Sequence, residues 1–326
     1  MYLVFDVGAT TIKCALMNAE GEIQERKKVP TPVAKDDTIE SFVEALGLVY
    51  DLYKKDATIE GIAIGLPGQV DVKKGIVYNG GGIRYLRVAN LRDLIEARCN
   101  NIPVSVENDG KCAALAEVWK GNAKDVKDAC VFVFGTGIGG ALIKNKKVIH
   151  GKHLLAGEVS VLFDGMTRQD LKNVPEDKDG IIEDMSVMDS VDNYPYLWTN
   201  HAATLNVCHW VAKKRGLEDS EVTGEKLYQW AAEGDQEIID TLEDWYFCIA
   251  KQCLNVYVTF NPEIILIGGG ISAEPQFVNG IIRYVERLKR ISRIYKDVKV
   301  DCCKFYNDSN LLGALYNFKQ QHNLLK

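Results

Sequence analysis

The chain opens on an apolar run, Tyr2 to Phe5, that breaks into Asp6-Val7-Gly8-Ala9-Thr10-Thr11 and resumes at once from Ile12 to Met17. The same arrangement returns later. Ala129 to Phe134 leads into Gly135-Thr136-Gly137-Ile138-Gly139-Gly140, and Ala141 to Ile143 follows. Each reads as strand, tight turn, strand. Asn18 to Gly21 marks a second turn, so residues 2–30 predict three strands. Ile39, Phe42, Val43, Leu46, Val49, Tyr50 and Tyr53 recur at helical spacing over 36–54. The run Ile59 to Leu66 stops at Pro67-Gly68. Leu91 to Arg98 predicts a helix, Val104 to Val106 a strand, and Asp109 to Trp119 another helix.

Beyond the second hairpin, residues 150–195 are rich in Asp, Gly and Lys and predict irregular structure. Helical patterns follow near 200–216, 224–233 and 236–259. Glu263 to Ile267 predicts a buried strand ending in Gly268-Gly269-Gly270, and then come a helix over 276–290, a strand over 298–301 and a helix over 310–322. Strand–helix alternation predicts an α/β layer structure. The repeated hairpin predicts that its core is duplicated, and 326 residues suffice for two domains.

Composition narrows the function classes. The net charge is −6, and the 39 Lys and Arg are scattered, so neither nucleic acid nor an anionic membrane is an expected partner. No apolar stretch approaches the ~20 residues that span a bilayer, and Met1-Tyr2-Leu3 starts no signal-peptide pattern. The expected location is cytoplasmic. Nine Cys, an odd number with no C-x-x-C pair, read as buried thiols in a reducing compartment rather than as disulfides or a metal site.

The turns carry the candidate chemistry. Glycine lets backbone N–H groups approach an anion, and Thr hydroxyls add donors, so two such hairpins suit polyphosphate. Gly135 to Gly140 is a literal G-x-G-x-x-G, but a dinucleotide fingerprint must open a helix. Here a polar turn at Lys144-Asn145-Lys146-Lys147 predicts a hairpin instead. Asp6, before Gly8, is either a turn carboxylate or a group holding Mg²⁺ beside phosphates. Glu107-Asn108-Asp109 follows a strand, where open α/β sheets bind ligands. Asp109 is either a helix N-cap or a general base accepting a proton from an attacking hydroxyl. Gly268-Gly269-Gly270 is either a packed turn or a backbone surface for a nucleotide.

Taken in order, Asp6-x-Gly-x-Thr-x-x-Lys13, Gly65-Leu-Pro-Gly68, Glu107-Asn-Asp109, Gly135-Thr-Gly-Ile-Gly-Gly140, Gly157-Glu158 and Ile267-Gly-Gly-Gly-Ile271 resemble the ROK family of sugar kinases and repressors, within the actin-like ATPase superfamily. The resemblance covers essentially the whole chain. It implies a two-lobed α/β actin-like (ribonuclease H-like) fold with a cleft, the first lobe over 1–118 plus 307–326 and the second over 119–306. It implies ATP- and Mg²⁺-dependent phosphorylation of a sugar hydroxyl, usually the 6-hydroxyl, with Asp109 as base. It assigns sugar contacts to Gly68, Gly81, Gly82, Asn108, Asp109 and Glu158. ATP falls to Asp6, Gly8, Thr10, Thr11, Lys13, Gly135, Thr136, Gly137, Gly139, Gly268, Gly269 and Gly270, with Mg²⁺ reached from Asp6 through water. A homodimer is also implied.

One stretch departs from the family pattern. Many members continue Gly-Glu with Ile/Phe-Gly-His and a Cys-rich zinc motif. Here Gly157-Glu158 runs into Val159-Ser160-Val161, and residues 131–207 hold no Cys, so no zinc is expected. Val161 stands where relatives place a His that reaches the sugar. Gly80-Gly-Gly-Ile-Arg84, Leu155-Ala-Gly-Glu158 and Phe260-Asn-Pro-Glu263 resemble the zinc-free β-glucoside kinases, and a Val widens the pocket for cellobiose or an aryl-β-glucoside. The alternatives are a kinase for glucose, N-acetylmannosamine or fructose, or a non-catalytic sugar-binding protein. A repressor would need a DNA-binding segment ahead of the phosphate motif that starts at Asp6.

Overall fold

A computed structural model describes residues 1–174, 194–306 and 308–325. Part of the irregular stretch expected over 150–195 therefore lies outside the described residues. The chain forms two compact units: Met1–Lys127 with Ile143–Ala156 and Asn307–Lys326, and Asp128–Leu142 with Gly157–Tyr306.

The first unit is built on β1 (Tyr2–Val7), β2 (Thr11–Met17), β3 (Ile23–Pro30), α1 (Ile39–Tyr53), β4 (Gly61–Leu66), the short strands β5 (Gln69–Asp71), β6 (Ile76–Asn79) and β7 (Ala89–Asn90), α2 (Leu91–Arg98), β8 (Val104–Asn108) and α3 (Asp109–Lys120). Its main sheet has the order β3-β2-β1-β4-β8. β1 and β2 are antiparallel, β1 and β4 parallel, and β4 and β8 parallel. β1 and β4 are buried along their whole length, and they read as continuous apolar runs for that reason. Pro30 closes β3, an edge strand, where its missing N–H costs no ladder bond.

Thr38 caps α1 through a reciprocal pair with Ser41. The helix buries Phe42, Leu46, Val49 and Tyr50 with Leu3, Phe5, Ile62, Ile64, Val104 and Val106 of the sheet. Truncating a fully buried ring such as Phe42 to Ala costs about 3–5 kcal/mol. The late helix α9 (Ser309–Gln321) completes this unit. Gly313 lies so close to the Cys112 carbonyl of α3 that no Cβ fits between them. Phe318 reaches Tyr2 with ring centroids 5.4 Å apart.

The second unit repeats the plan. β9 (Ala129–Phe134) and β10 (Ile138–Lys144) form the hairpin. Then come α4 (Trp198–Ala202), α5 (Thr204–Arg215), α6 (Gly224–Ala232), α7 (Gln236–Phe260), β12 (Ile264–Gly268), α8 (Pro275–Leu288) and β13 (Val300–Cys302); β11 (Lys147–Val148), which follows β10, falls among the residues counted with the first unit. The strand order β11-β10-β9-β12-β13 matches the first sheet position for position, and β9, β12 and β13 are again parallel. This is the duplicated core that the repeated hairpin predicts. The turn between β10 and β11 uses Asn145 and Lys146, both at positive φ, as a two-residue hairpin of right-handed twist requires. Phe132, Phe134, Trp198, Trp245 and Phe277 form an aromatic centre for this core.

Two expectations change. The helix expected over 200–216 is two helices, because Ala203 is extended (φ −67°, ψ 144°). The Thr199 carbonyl keeps its helical bond from Ala203 N–H at 3.0 Å and accepts a second from the side-chain amide of Asn206 at 2.8 Å, which ties the two helices at the break. The strands β5, β6 and β7 were not expected. They are three, four and two residues long, too short for alternation to register.

Candidate active site

In the first unit, pairing in register brings Asp6, Gly65 and Glu107 side by side across β1, β4 and β8. The strand ends that follow them form one row. Asp6 is buried. Its Oδ2 accepts from Lys13 Nζ at 2.9 Å across the hairpin, and its Oδ1 accepts from Asn310 Nδ2 at 2.9 Å. Each oxygen keeps a further lone pair inside a fixed frame, a donor set that fits a hydrated Mg²⁺ held through water. The turn beyond is braced by Gly8 N–H to Thr11 O at 3.0 Å and by Thr31, whose hydroxyl donates to Gly8 O at 2.8 Å and whose N–H donates to Thr10 O. Ala9 and Thr10 are exposed at its tip.

At the end of β8, Asn108 is the N-cap of α3, not Asp109. Its Oδ1 accepts from Lys111 N–H at 3.1 Å, and its Nδ2 donates to the Gly68 carbonyl at 3.0 Å. Asp109 is the first helical residue, half-buried, with Oδ1 accepting from Gly110 N–H at 2.8 Å. Gly81 N–H donates to Asn79 Oδ1 at 2.9 Å, and the Cβ position of Gly82 faces open space. Asn108, Gly68 and Gly81 thus share one corner.

Glu107 adds a relationship that sequence reading missed. Its Oε1 accepts from Asn108 N–H at 2.8 Å, and its Oε2 lies 2.9 Å from His150 Nε2. His150 follows β11 and has no periodic pattern around it, so nothing in its local sequence marks it. Asn310 was missed as well. The available signal was a polar residue immediately ahead of the apolar run Leu311 to Tyr316.

In the second unit, Gly135 N–H donates to Gly137 O at 2.9 Å and closes the turn, while Leu205 N–H at the start of α5 donates to Gly135 O. Gly135, Thr136 and Gly137 are exposed, Gly139 is half-buried, and no atom lies within 4 Å of the Gly135 Cβ position. That open backbone fits phosphate oxygens. Glu158 is half-buried and begins the turn Val159–Val161. Gly157, ahead of it, packs on Ala141 of β10. The three consecutive glycines divide. A Cβ at Gly268 meets Cys303 Sγ at 2.8 Å, and Gly269 (φ 95°) lies against the Phe134 backbone, so both serve packing. Only Gly270 faces open space.

The ROK family model matches residues 2–160 and 200–321. The chain belongs to the ROK family. A β-glucoside kinase of Listeria monocytogenes is 28% identical over 321 residues, 98% of this chain and 97% of that protein. A β-glucoside kinase of Klebsiella pneumoniae is 28% identical over 97% of this chain and 95% of its own length. A ROK family protein from Streptococcus pneumoniae TIGR4, solved in complex with sucrose, superposes with a TM-score of 0.80 at 26% identity, covering 99% of this chain and 100% of that one. The fold is the actin-like ATPase fold, and the protein is an ATP-dependent carbohydrate kinase. Among the described residues, no helix of this ROK protein is long and apolar enough to cross a membrane.

Proposed function

We propose that this ROK kinase transfers the γ-phosphoryl group of ATP to the 6-hydroxyl of a β-glucoside, such as cellobiose or an aryl-β-glucoside. The observation that carries this reading is Val161, 59% exposed in the turn that starts at Glu158. A small apolar side chain there leaves room for an aglycone. Full-length similarity to β-glucoside kinases, and a structural relative that holds a disaccharide, support the same substrate class.

We read the two units as the two lobes of the kinase. Asp109 is the general base: it takes the proton of the 6-hydroxyl while that oxygen attacks phosphorus. Asn108 rather than Asp109 is the N-cap, and the Asp109 carboxylate accepts the Gly110 N–H through Oδ1. Asn108, Gly68, Gly81 and Gly82 bind the sugar, Asn108 through the amide hydrogen not given to Gly68, and Glu158 is a further sugar ligand. Gly8, Thr10, Thr11, Lys13, Gly135, Thr136, Gly137 and Gly139 receive phosphate oxygens. Gly270 is the member of 268–270 that faces adenosine, with Gly268 and Gly269 setting its position. Mg²⁺, held through water by Asp6, neutralises charge on the transferring group. The active form is a cytoplasmic homodimer.

The test is ADP release with Mg-ATP and a panel of glucose, N-acetylmannosamine, fructose, allose, cellobiose and an aryl-β-glucoside. The last two are expected to give the highest kcat/KM. A free monosaccharide outrunning both would replace the substrate assignment and keep the kinase.

A further inference from the structure

We propose that Asp164, His201 and Cys248 of the second unit form a binding site for a zinc ion. Their ligand atoms all lie within 4.8 Å of one another. His201 Nε2 is 3.1 Å and Cys248 Sγ 3.3 Å from Asp164 Oδ2. Ligands at zinc distances of about 2.0–2.3 Å in tetrahedral array stand about 3.3–3.8 Å apart; the two Asp164 separations are near the short end of that range and the third is within 4.8 Å, so side-chain shifts of up to about 1 Å admit the ion. Imidazole, thiolate and carboxylate together match zinc better than Mg²⁺ or Ca²⁺, which take oxygen. Three protein ligands leave the fourth position to water.

The donors sit on firm supports. Asp164 N–H donates to Tyr196 O at 2.8 Å beside the bridge between Phe163 and Leu197. His201 closes α4, and Cys248 lies inside the 25-residue α7. His201 Nδ1 is 2.7 Å from the Pro195 carbonyl, which can only accept. The ring therefore gives Nδ1–H to that carbonyl and turns Nε2 toward the other two donors, the backing that zinc-bound histidines use.

Zinc binds the lone pair of His201 Nε2 and the thiolate of Cys248, so loading releases the thiol proton. Lys251 Nζ lies 3.1 Å from Asp164 Oδ1 and 3.3 Å from Oδ2; this part-exposed ammonium must swing away from Oδ2, toward Oδ1 and solvent, when an ion takes that oxygen. The expectation of no zinc rests on the missing Cys-rich motif, and these donors lie outside that motif. The ion would tie the segment six residues past Glu158 to α4 and α7.

The experiment is zinc titration of the chelator-treated full chain against a competing fluorescent zinc chelator, with no activity readout. One site per chain is expected. His201→Ala and Cys248→Ser should each weaken it about tenfold or more, and Cys208→Ser should not. Cobalt soaked into the wild-type chain should give a thiolate charge-transfer band, which tests the site even if a variant fails to fold. Equal affinity in all four chains, or a cobalt complex without that band, would overturn the site.

Discussion

His150 Nε2 stands 2.9 Å from Oε2 of Glu107, a carboxylate only 1% exposed and one residue ahead of the α3 cap. A buried carboxylate oxygen stripped of its donor costs about 1–3 kcal/mol. His150→Ala is therefore expected to lower stability by that amount in urea unfolding, although His150 itself is part-exposed. A variant as stable as the parent would show that water replaces the ring.

Asp109→Asn should keep the fold, because Asn108 rather than Asp109 caps α3. Turnover should fall by about 10²–10⁴, the usual contribution of a general base. Steady-state kinetics beside a circular dichroism melt separates the two effects. Near-normal turnover would remove Asp109 from the base role.

Asn108→Ala should lose both the cap and the donor to Gly68. The cap alone is worth about 0.5–2 kcal/mol. Asn108→Asp keeps the cap and loses the donor, so the gap in urea midpoint between the parent and Asn108→Asp measures the Gly68 contact, and the gap between the two variants measures the cap. Equal midpoints for the parent and Asn108→Asp would mean that the contact contributes nothing to stability.

Val161→His should narrow the pocket that the β-glucoside reading requires. The kcat/KM for an aryl-β-glucoside is expected to fall about 10-fold or more relative to glucose, as for a steric change of a methylene or larger. An unchanged ratio would place Val161 away from the aglycone.

Burial pushes the thiol of Cys14 up to about 12 and those of Cys99 and Cys208 up to about 11. The group that reacts is the thiolate, so a raised value keeps these sites protonated at pH 8 and slow to label. A disulfide reagent at pH 8 should modify few of the nine cysteines in the native protein and all nine in urea. Rapid native labelling of all nine would contradict the burial.

Local pattern made the hairpins, α1, α2 and the long α7 readable, because each carries its own period or turn chemistry. Contacts between distant positions were not readable. Glu107 and His150 are 43 residues apart, and Asp6 and Asn310 are 304 apart. Which residue caps α3 turned on a single residue of helix boundary, since starting α3 at Asp109 moves the cap to Asn108. The Gly268–Gly270 run was legible as special, but only three-dimensional packing separates Gly268 and Gly269, crowded by Cys303 and Phe134, from the open Gly270.

The first sheet draws its cover from both ends of the sequence: Tyr2 meets Phe318, and α3 meets α9 at Gly313. A ribosome therefore delivers β1 long before the helix that shields it. Until residues 309–321 emerge, that apolar surface stays uncovered while the intervening segments can already fold. A nascent or truncated chain lacking α9 is thus a target for chaperones and for mispairing with its neighbours. Loss of this one late helix should show itself as insoluble product rather than as a weakened enzyme.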